Sequence, residues 1–157
     1  RGMSPEKGVA LPNGFDMSDF KDVPDKAEGR KKIEEAFSVD LSEKSLLLTV
    51  GRQVKRKGHE WFITEVLPKI KSEVVYLVIG AGPEHDRLNL QEKVLIVGKQ
   101  PDEVLKDAYA GADIFIMPNI PIPGDMEGFG IVLLEANLAG TPAVAADLEG
   151  IKDVIEN

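Results

Sequence analysis

The sequence contains no cysteine and only two histidines, His59 and His85. Disulfides and thiolate metal sites are thereby excluded, and a multi-histidine zinc site with them. No Asp-x-Asp pair offers carboxylates to a divalent metal on a diphosphate. No apolar run approaches the roughly 20 residues of a membrane-spanning helix, and no signal peptide is visible. Basic charge is in deficit, with 19 Lys and Arg against 27 Asp and Glu and a net charge of −8. A nucleic-acid binder carries a basic face, so that partner class is set aside. Internal repeats, a Walker loop and a serine-centred nucleophile elbow are missing too. Gly80-Ala81-Gly82-Pro83-Glu84-His85 opens like a dinucleotide fingerprint. Its sixth position is histidine where the fingerprint needs glycine, which argues against an NAD site.

What remains is a chain of 157 residues, 43% hydrophobic and 29% charged, enough for one domain with a full core. Its first residues, Arg1-Gly2-Met3-Ser4-Pro5, and its last, Asn157, give the expectation of a piece excised from a longer protein. Continuous apolar runs at 46–50, 74–79 and 94–98 each end at a glycine and predict strands buried on both faces. Further strands are expected at 9–11, 113–117 and 141–146. Helical patterns lie between them. One spans 26–37, with Ile33, Ala36 and Phe37 inward and Gly29 weakening it. A second spans 59–71, with Trp61, Phe62, Val66, Leu67 and Ile70 inward and Pro68 breaking it. A short helix or turn is expected from Glu84, a helix over 101–110 with Pro101 in its first turn, and a last helix over 150–155. Six alternations of strand and helix predict an α/β fold, a Rossmann-like parallel sheet of about six strands with helices on both faces. In such sheets ligands bind at the carboxyl ends of the strands, where Gly51, Gly80, Gly98 and Pro118 fall.

Two stretches carry the chemistry. The first is Asp125-Met126-Glu127-Gly128-Phe129-Gly130, followed by the apolar run Ile131-Val132-Leu133-Leu134-Glu135-Ala136-Asn137-Leu138-Ala139. Its run is hydrophobic nearly all round and predicts a buried helix. The helix start offers unpaired N–H groups to an anion. Glu135, inside the run, is costly to bury unless a partner or a ligand satisfies it. A nucleotide suits both features, with phosphates on amides and sugar hydroxyls on a carboxylate. The second stretch is the basic loop Arg52, Lys55, Arg56 and Lys57. Arg52 and Lys57 each flank a glycine and are read as phosphate-binding. Lys55 and Arg56 are read as solvated surface charges.

These motifs, taken in order, resemble those of the C-terminal donor-binding domain of retaining GT-B glycosyltransferases of the glycogen-synthase-like and sucrose-synthase-like family. Pro12-Asn13-Gly14-Phe15-Asp16 resembles its Asn-Gly turn, and Val50-Gly51-Arg52 with Lys57-Gly58 its Gly-Arg…Lys-Gly loop. Gly80-Ala81-Gly82-Pro83 resembles its Gly-x-Gly-Pro turn, and Glu127 to Glu135 its Glu-x7-Glu motif. The resemblance implies that Arg52 and Lys57 hold the donor diphosphate as leaving group. It implies that Glu127 contacts the transferred sugar, aided by the amides of Gly128, Phe129 and Gly130, and that Glu135 holds the ribose diol. It places Val97 and Gly98 along the base, and Gly51, Gly80 and Gly82 at the donor. The parent enzyme would move a sugar from a nucleotide diphosphate sugar to a carbohydrate, lipid or other acceptor. It would act with retention, without metal or cofactor, in the cytoplasm or peripherally at the membrane. The family's acceptor site and a catalytic histidine lie in an N-terminal domain outside this chain, and His59 and His85 are not placed to replace that histidine. The isolated fragment is therefore expected to be inactive. A sugar-nucleotide epimerase of the same architecture and a non-catalytic nucleotide-binding module stay open as alternatives.

Overall fold

The computed structural model describes residues 16, 20, 22–88, 92–125, 129–148, 150–152 and 154. The strand expected at 9–11, most of the turn at 12–16, and both Glu127 and Gly128 lie outside the described residues. Among the described residues, four of the expected runs and the segment before Ala146 form strands: β1 (Ser45–Val50), β2 (Val74–Ile79), β3 (Val94–Val97), β4 (Ile114–Met117) and β5 (Ala143–Ala145). They make one parallel sheet in the order β3-β2-β1-β4-β5. The chain runs outward from β1 to one edge, returns to its other side, and runs outward again.

Side chains alternate across the sheet and build a core on each face. On one face Leu46, Leu48, Leu77, Ile79, Phe115 and Met117 meet helices α1 (Lys26–Phe37), α4 (Asp102–Gly111) and α5 (Ile131–Leu138). On the other, Leu47, Tyr76, Val78 and Ile116 meet Phe62, Ile63 and Leu67 of the helical segment that begins with α2 (His59–Trp61), and Leu88 of the short α3 (His85–Leu88). Thr49 Oγ1 on this face bonds the Tyr76 hydroxyl at 2.8 Å and the Ile116 carbonyl at 2.6 Å, so a buried hydroxyl pair ties three strands together.

Gly29 lowers the intrinsic helix propensity of α1, but it lets the helix form and pack closely on α4. A Cβ there would lie 2.7 Å from the Asp107 carbonyl and 2.9 Å from the Gly111 nitrogen, both on α4. Asp25 caps the helix by accepting the Glu28 N–H at 2.9 Å. At the amino edge of the sheet Asp113 anchors β4. It takes Lys26 at 2.6 Å, Arg30 at 3.0 Å and the Leu46 N–H at 2.7 Å. Burial alone would raise its carboxyl, but Lys26, the Leu46 N–H and Arg30 outweigh that and hold it below the usual carboxylate range.

Several expectations are corrected. Trp61 is 45% exposed, and Ile63 takes the inward place. The helix after Trp61 widens into π turns over Phe62–Val66 and tightens over Leu67–Lys69, ending before residue 71. Pro68 has no N–H to continue the ladder, and the wide turns shift which side chains face the sheet. Ala36 is exposed. In α5 only Leu133 and Ala136 are buried, while Ile131 and Leu138 are 37% and 38% exposed. An apolar sequence states what a helix is able to bury, and here no described residue covers the outer side. Gly150, Ile151 and Lys152 form turns rather than the start of a helix. Among the described residues no helix is long and apolar enough to cross a membrane.

The α1–α4 contact yields the first prediction. Gly29→Ala would raise helix propensity by about 1 kcal/mol, but its methyl meets backbone rather than a yielding side chain, an overpacking cost of about 1–3 kcal/mol. The variant should melt below the wild type. A higher melting temperature would show that the two helices separate without cost.

Candidate functional site at the carboxyl edge of the sheet

Register places the expected glycines in one row. Val50 pairs with Ile79 and Ile79 with Val97, so the next residues, Gly51, Gly80 and Gly98, leave the sheet side by side. The row extends the ladder: Gly51 N–H donates to the Ile79 carbonyl at 2.9 Å, and Gly80 N–H to the carbonyls of Val97 at 3.1 Å and Gly98 at 3.3 Å. Glycine at position 80 is demanded by the backbone itself. Its φ is +145°, and a Cβ would fall 1.9 Å from the Gly51 carbonyl. Beside Gly98 the space is open, with nothing within 4 Å of a Cβ built there.

The basic loop rises from this row. Arg52 is exposed, whereas Lys57 is 9% exposed and lays the end of its side chain beside Gly51, its Nζ 3.8 Å from a Cβ built there. Lys55 is exposed as expected. Arg56 is not: it is 8% exposed and its Nε lies 3.0 Å from Asp125 Oδ1. Its carbonyl also accepts the Ile120 N–H at 2.9 Å. Arg56 thus joins the basic loop to residues 118–125, the segment after β4 that contains Pro118, Pro121 and Pro123. Nothing local in the sequence signalled it, because its partners lie far along the chain.

Gln53 went unnoticed in the sequence, and His59 was read only as not placed to replace a catalytic histidine; both are buried. His59 Nε2 lies 3.4 Å from the Arg52 carbonyl, and Nδ1 has no hydrogen-bond partner among the described residues. Burial and the nearby Lys57 charge push its pKa down to about 4 against the hydrogen bond to Arg52, so the imidazole is neutral near pH 7. Gln53 Nε2 donates to the Gly80 carbonyl at 2.8 Å, and its Oε1 stands 2.8 Å from His85 Nδ1.

The start of α5 approaches the same edge. Gly130, at its N-cap, is buried, and a Cβ there would lie 3.6 Å from Met117 Cε at the end of β4. Phe129 is half-buried, and its carbonyl accepts the Ile131 N–H at 2.9 Å. Glu135 has an internal partner. The Tyr109 hydroxyl, on fully buried Tyr109 of α4, donates to its Oε2 at 2.5 Å. Burial raises the Glu135 carboxyl above its usual range, Tyr109 lowers it, and Asp102 adds to the rise. The same burial and the Glu135 charge push the Tyr109 phenol up. Either a ligand or an internal partner was expected to satisfy this carboxylate. The structure supplies the partner and leaves the carboxylate partly exposed.

The described site residues therefore form a rim: Gly51, Arg52 and Lys57, then Gly80 and Gly82, then Val97 and Gly98, with Phe129 and Gly130 at the head of α5. A separate apolar hollow of about 570 Å³ lies between Trp61, Phe62, Ile116, Ile120, Val144 and Leu148. None of the described rim residues lines it.

The profile of the family described as Glycosyl transferases group 1 matches residues 44–157. The chain belongs to this family. An uncharacterised glycosyltransferase of Methanocaldococcus jannaschii is 30% identical over 97% of this chain and 39% of its own length. A GDP-mannose-dependent alpha-(1-6)-phosphatidylinositol monomannoside mannosyltransferase of Mycobacterium tuberculosis is 31% identical over 94% of this chain and 40% of its own. The chain thus spans about two fifths of the length of these curated relatives. Among solved structures, Anabaena HepE in complex with UDP and glucose superposes with a TM-score of 0.78 at 23% identity, over 99% of this chain and 42% of that one. The fold of this glycosyltransferase domain is accordingly that of one half of a GT-B enzyme, as the sequence motifs implied.

The geometry at Glu135 fixes the sign of a pH effect. Its folded carboxyl titrates above the unfolded one. The favourable contribution is therefore complete below the unfolded value, about pH 4.3, and is lost as pH rises through the folded value. Glu135→Gln, which still accepts from Tyr109, should match or exceed wild-type stability near pH 7, by at most about 1 kcal/mol for a partly solvated group. The difference should close near pH 4. Unfolding curves across this range check it, and a variant less stable than wild type at pH 7 would show that the charged pair with Tyr109 is a net stabiliser.

Proposed function

We propose that this chain is the nucleotide-sugar-binding half of a retaining, metal-independent glycosyltransferase. The observation that carries the proposal is the convergence on one sheet edge of Arg52, the covered Lys57 charge and the head of α5, around a row of glycines with open space beside Gly98. Glycosyl transfer leaves a diphosphate, on which negative charge develops. Fixed cations and amide donors aimed at that charge lower the barrier without reorganising as it forms.

In this reading Arg52 and Lys57 hold the diphosphate, Arg52 through paired hydrogen bonds and Lys57 as a shielded point charge. The amides at 128–130 receive further phosphate or sugar oxygens. Glu127 contacts the transferred sugar, and Glu135 holds the ribose diol with the oxygen that Tyr109 does not fill. Val97 and Gly98 flank the base. The mycobacterial relative uses GDP-mannose by its name, and HepE was solved with UDP. UDP-sugars and GDP-sugars are therefore the donors to test first. The acceptor is held by the remaining part of the parent protein, so the isolated chain binds a nucleoside diphosphate without transferring sugar.

The reading is tested on the full-length parent, incubated with UDP- and GDP-sugars and an acceptor with and without EDTA, while NMR follows the anomeric signal. The product should keep the donor's anomeric configuration, and chelator should leave the rate unchanged. An inverted product, an epimerised donor in place of transfer, or EDTA inhibition reversed by magnesium would each contradict one element of the proposal.

A further inference from the structure

We propose that Gln53 is a positioning residue. With His85 it locks the Gly80–Gly82 turn onto the Arg52 loop and so sets the diphosphate end of the donor site. The proposal rests on the donor-binding reading above.

Gln53 is fully buried, directly after the exposed Arg52. A buried primary amide is costly unless its polar atoms find partners, and here one turn supplies a partner to both Nε2 and Oε1. Its N–H donates to the Ala81 carbonyl at 3.0 Å, and its carbonyl accepts the Glu84 N–H at 3.2 Å. Its side-chain Nε2 donates to the Gly80 carbonyl at 2.8 Å, and Oε1 meets His85 Nδ1 at 2.8 Å. The contact is close: a Cβ on Gly82 would fall 2.2 Å from the Gln53 carbonyl oxygen.

The chemistry of the partners fixes the direction of every bond. The Gly80 carbonyl only accepts, so the amide must turn its NH2 toward it. Oε1 then faces His85, and His85 Nδ1 must carry the proton. Position 53 therefore needs a side chain that donates at one atom and accepts at the other. Glu lacks the donor, and Met and Leu lack both. This also accounts for the histidine that spoils the dinucleotide fingerprint: residue 85 serves as a hydrogen-bond donor to Gln53.

The other side of Arg52 is held as well. Its carbonyl accepts the Val54 N–H at 3.0 Å and faces His59 Nε2 at 3.4 Å. The Arg52 peptide sits between two anchored neighbours while its guanidinium remains outside. A guanidinium on a fixed backbone loses less freedom when it grips a phosphate, so part of the binding free energy depends on the clamp.

The experiment compares Gln53→Met, His85→Leu and His85→Asn with wild type. Met keeps the length of Gln without hydrogen bonds. Asn presents an NH2 where Nδ1–H stood, and Leu presents none; all are uncharged. Calorimetric titrations use UDP and GDP, with uridine and guanosine as ligands lacking phosphate. Loss of one or two hydrogen bonds predicts about tenfold weaker diphosphate binding for Gln53→Met and His85→Leu, with nucleoside binding within about twofold of wild type. His85→Asn should restore diphosphate affinity to within about threefold. If Gln53→Met does not fold, the two His85 variants decide the question. Equal losses for diphosphate and nucleoside would overturn the proposal, as would indistinguishable Leu and Asn variants. Wild-type protein that binds neither UDP nor GDP would overturn the donor reading and the clamp with it. Wild-type binding with unchanged variants would overturn the clamp alone.

Discussion

The parallel ladder between β1 and β2 runs over six paired residues, from Ser45 opposite Val74 to Val50 opposite Ile79, and the rim above it depends on that register. A slip of one residue would turn Leu46 and Leu48 to the face now occupied by Leu47 and strip both cores at once. Two-sided burial therefore pins the register. The pinned register sets Gly51 beside Gly80, and that contact leaves no room for a side chain at residue 80. The Arg52 loop and the glycine turn are then close enough for the Gln53 amide to join them. The geometry of the donor edge follows from core packing some distance beneath it.

Much of this was legible in the sequence, and the reason is physical. A strand buried on both faces reads as an unbroken apolar run, and such runs at 46–50, 74–79 and 94–98 became β1, β2 and β3, the last ending at Val97. A glycine after each run marked the level at which the chain leaves the sheet, so the edge was identified before the topology. The less legible features are those set by partners remote in sequence. Arg56 reads as one more loop cation until Asp125 stands 3.0 Å from it. Trp61 reads as core until the π turns after it shift the helical faces. Gln53 carries no motif at all, since its role lies in four bonds to a turn that follows the next helix and strand. The strand and turn expected before residue 16, and Glu127 and Gly128 in the second motif, lie outside the described residues.

Glu135 illustrates how a structural bond and a proposed ligand contact share one residue. Its hydrogen bond to Tyr109 orients one oxygen, and burial keeps the carboxyl reluctant to ionise. A ribose diol arriving at the other oxygen would find an acceptor already held in place, which reduces the ordering cost of binding. The half-exposed outer side of α5, with Ile131 and Leu138 partly in solvent, leaves the helix fastened by Leu133 and Ala136, by Val132 packed beside them, and by this polar bond. Head and acid of the proposed donor site thus ride on a helix whose inner side alone is packed.

The central claim is that the glycine row and its basic loop form a nucleoside-diphosphate site. The most direct test is an amide NMR titration of the chain with UDP and with GDP. The account predicts that at least one of the two produces its largest shifts at residues 51–58, 80–85, 98–100 and 129–132, with saturation. Shifts confined to 117–120 and 144–148 around the apolar hollow, or no saturable shift with either ligand, would contradict it.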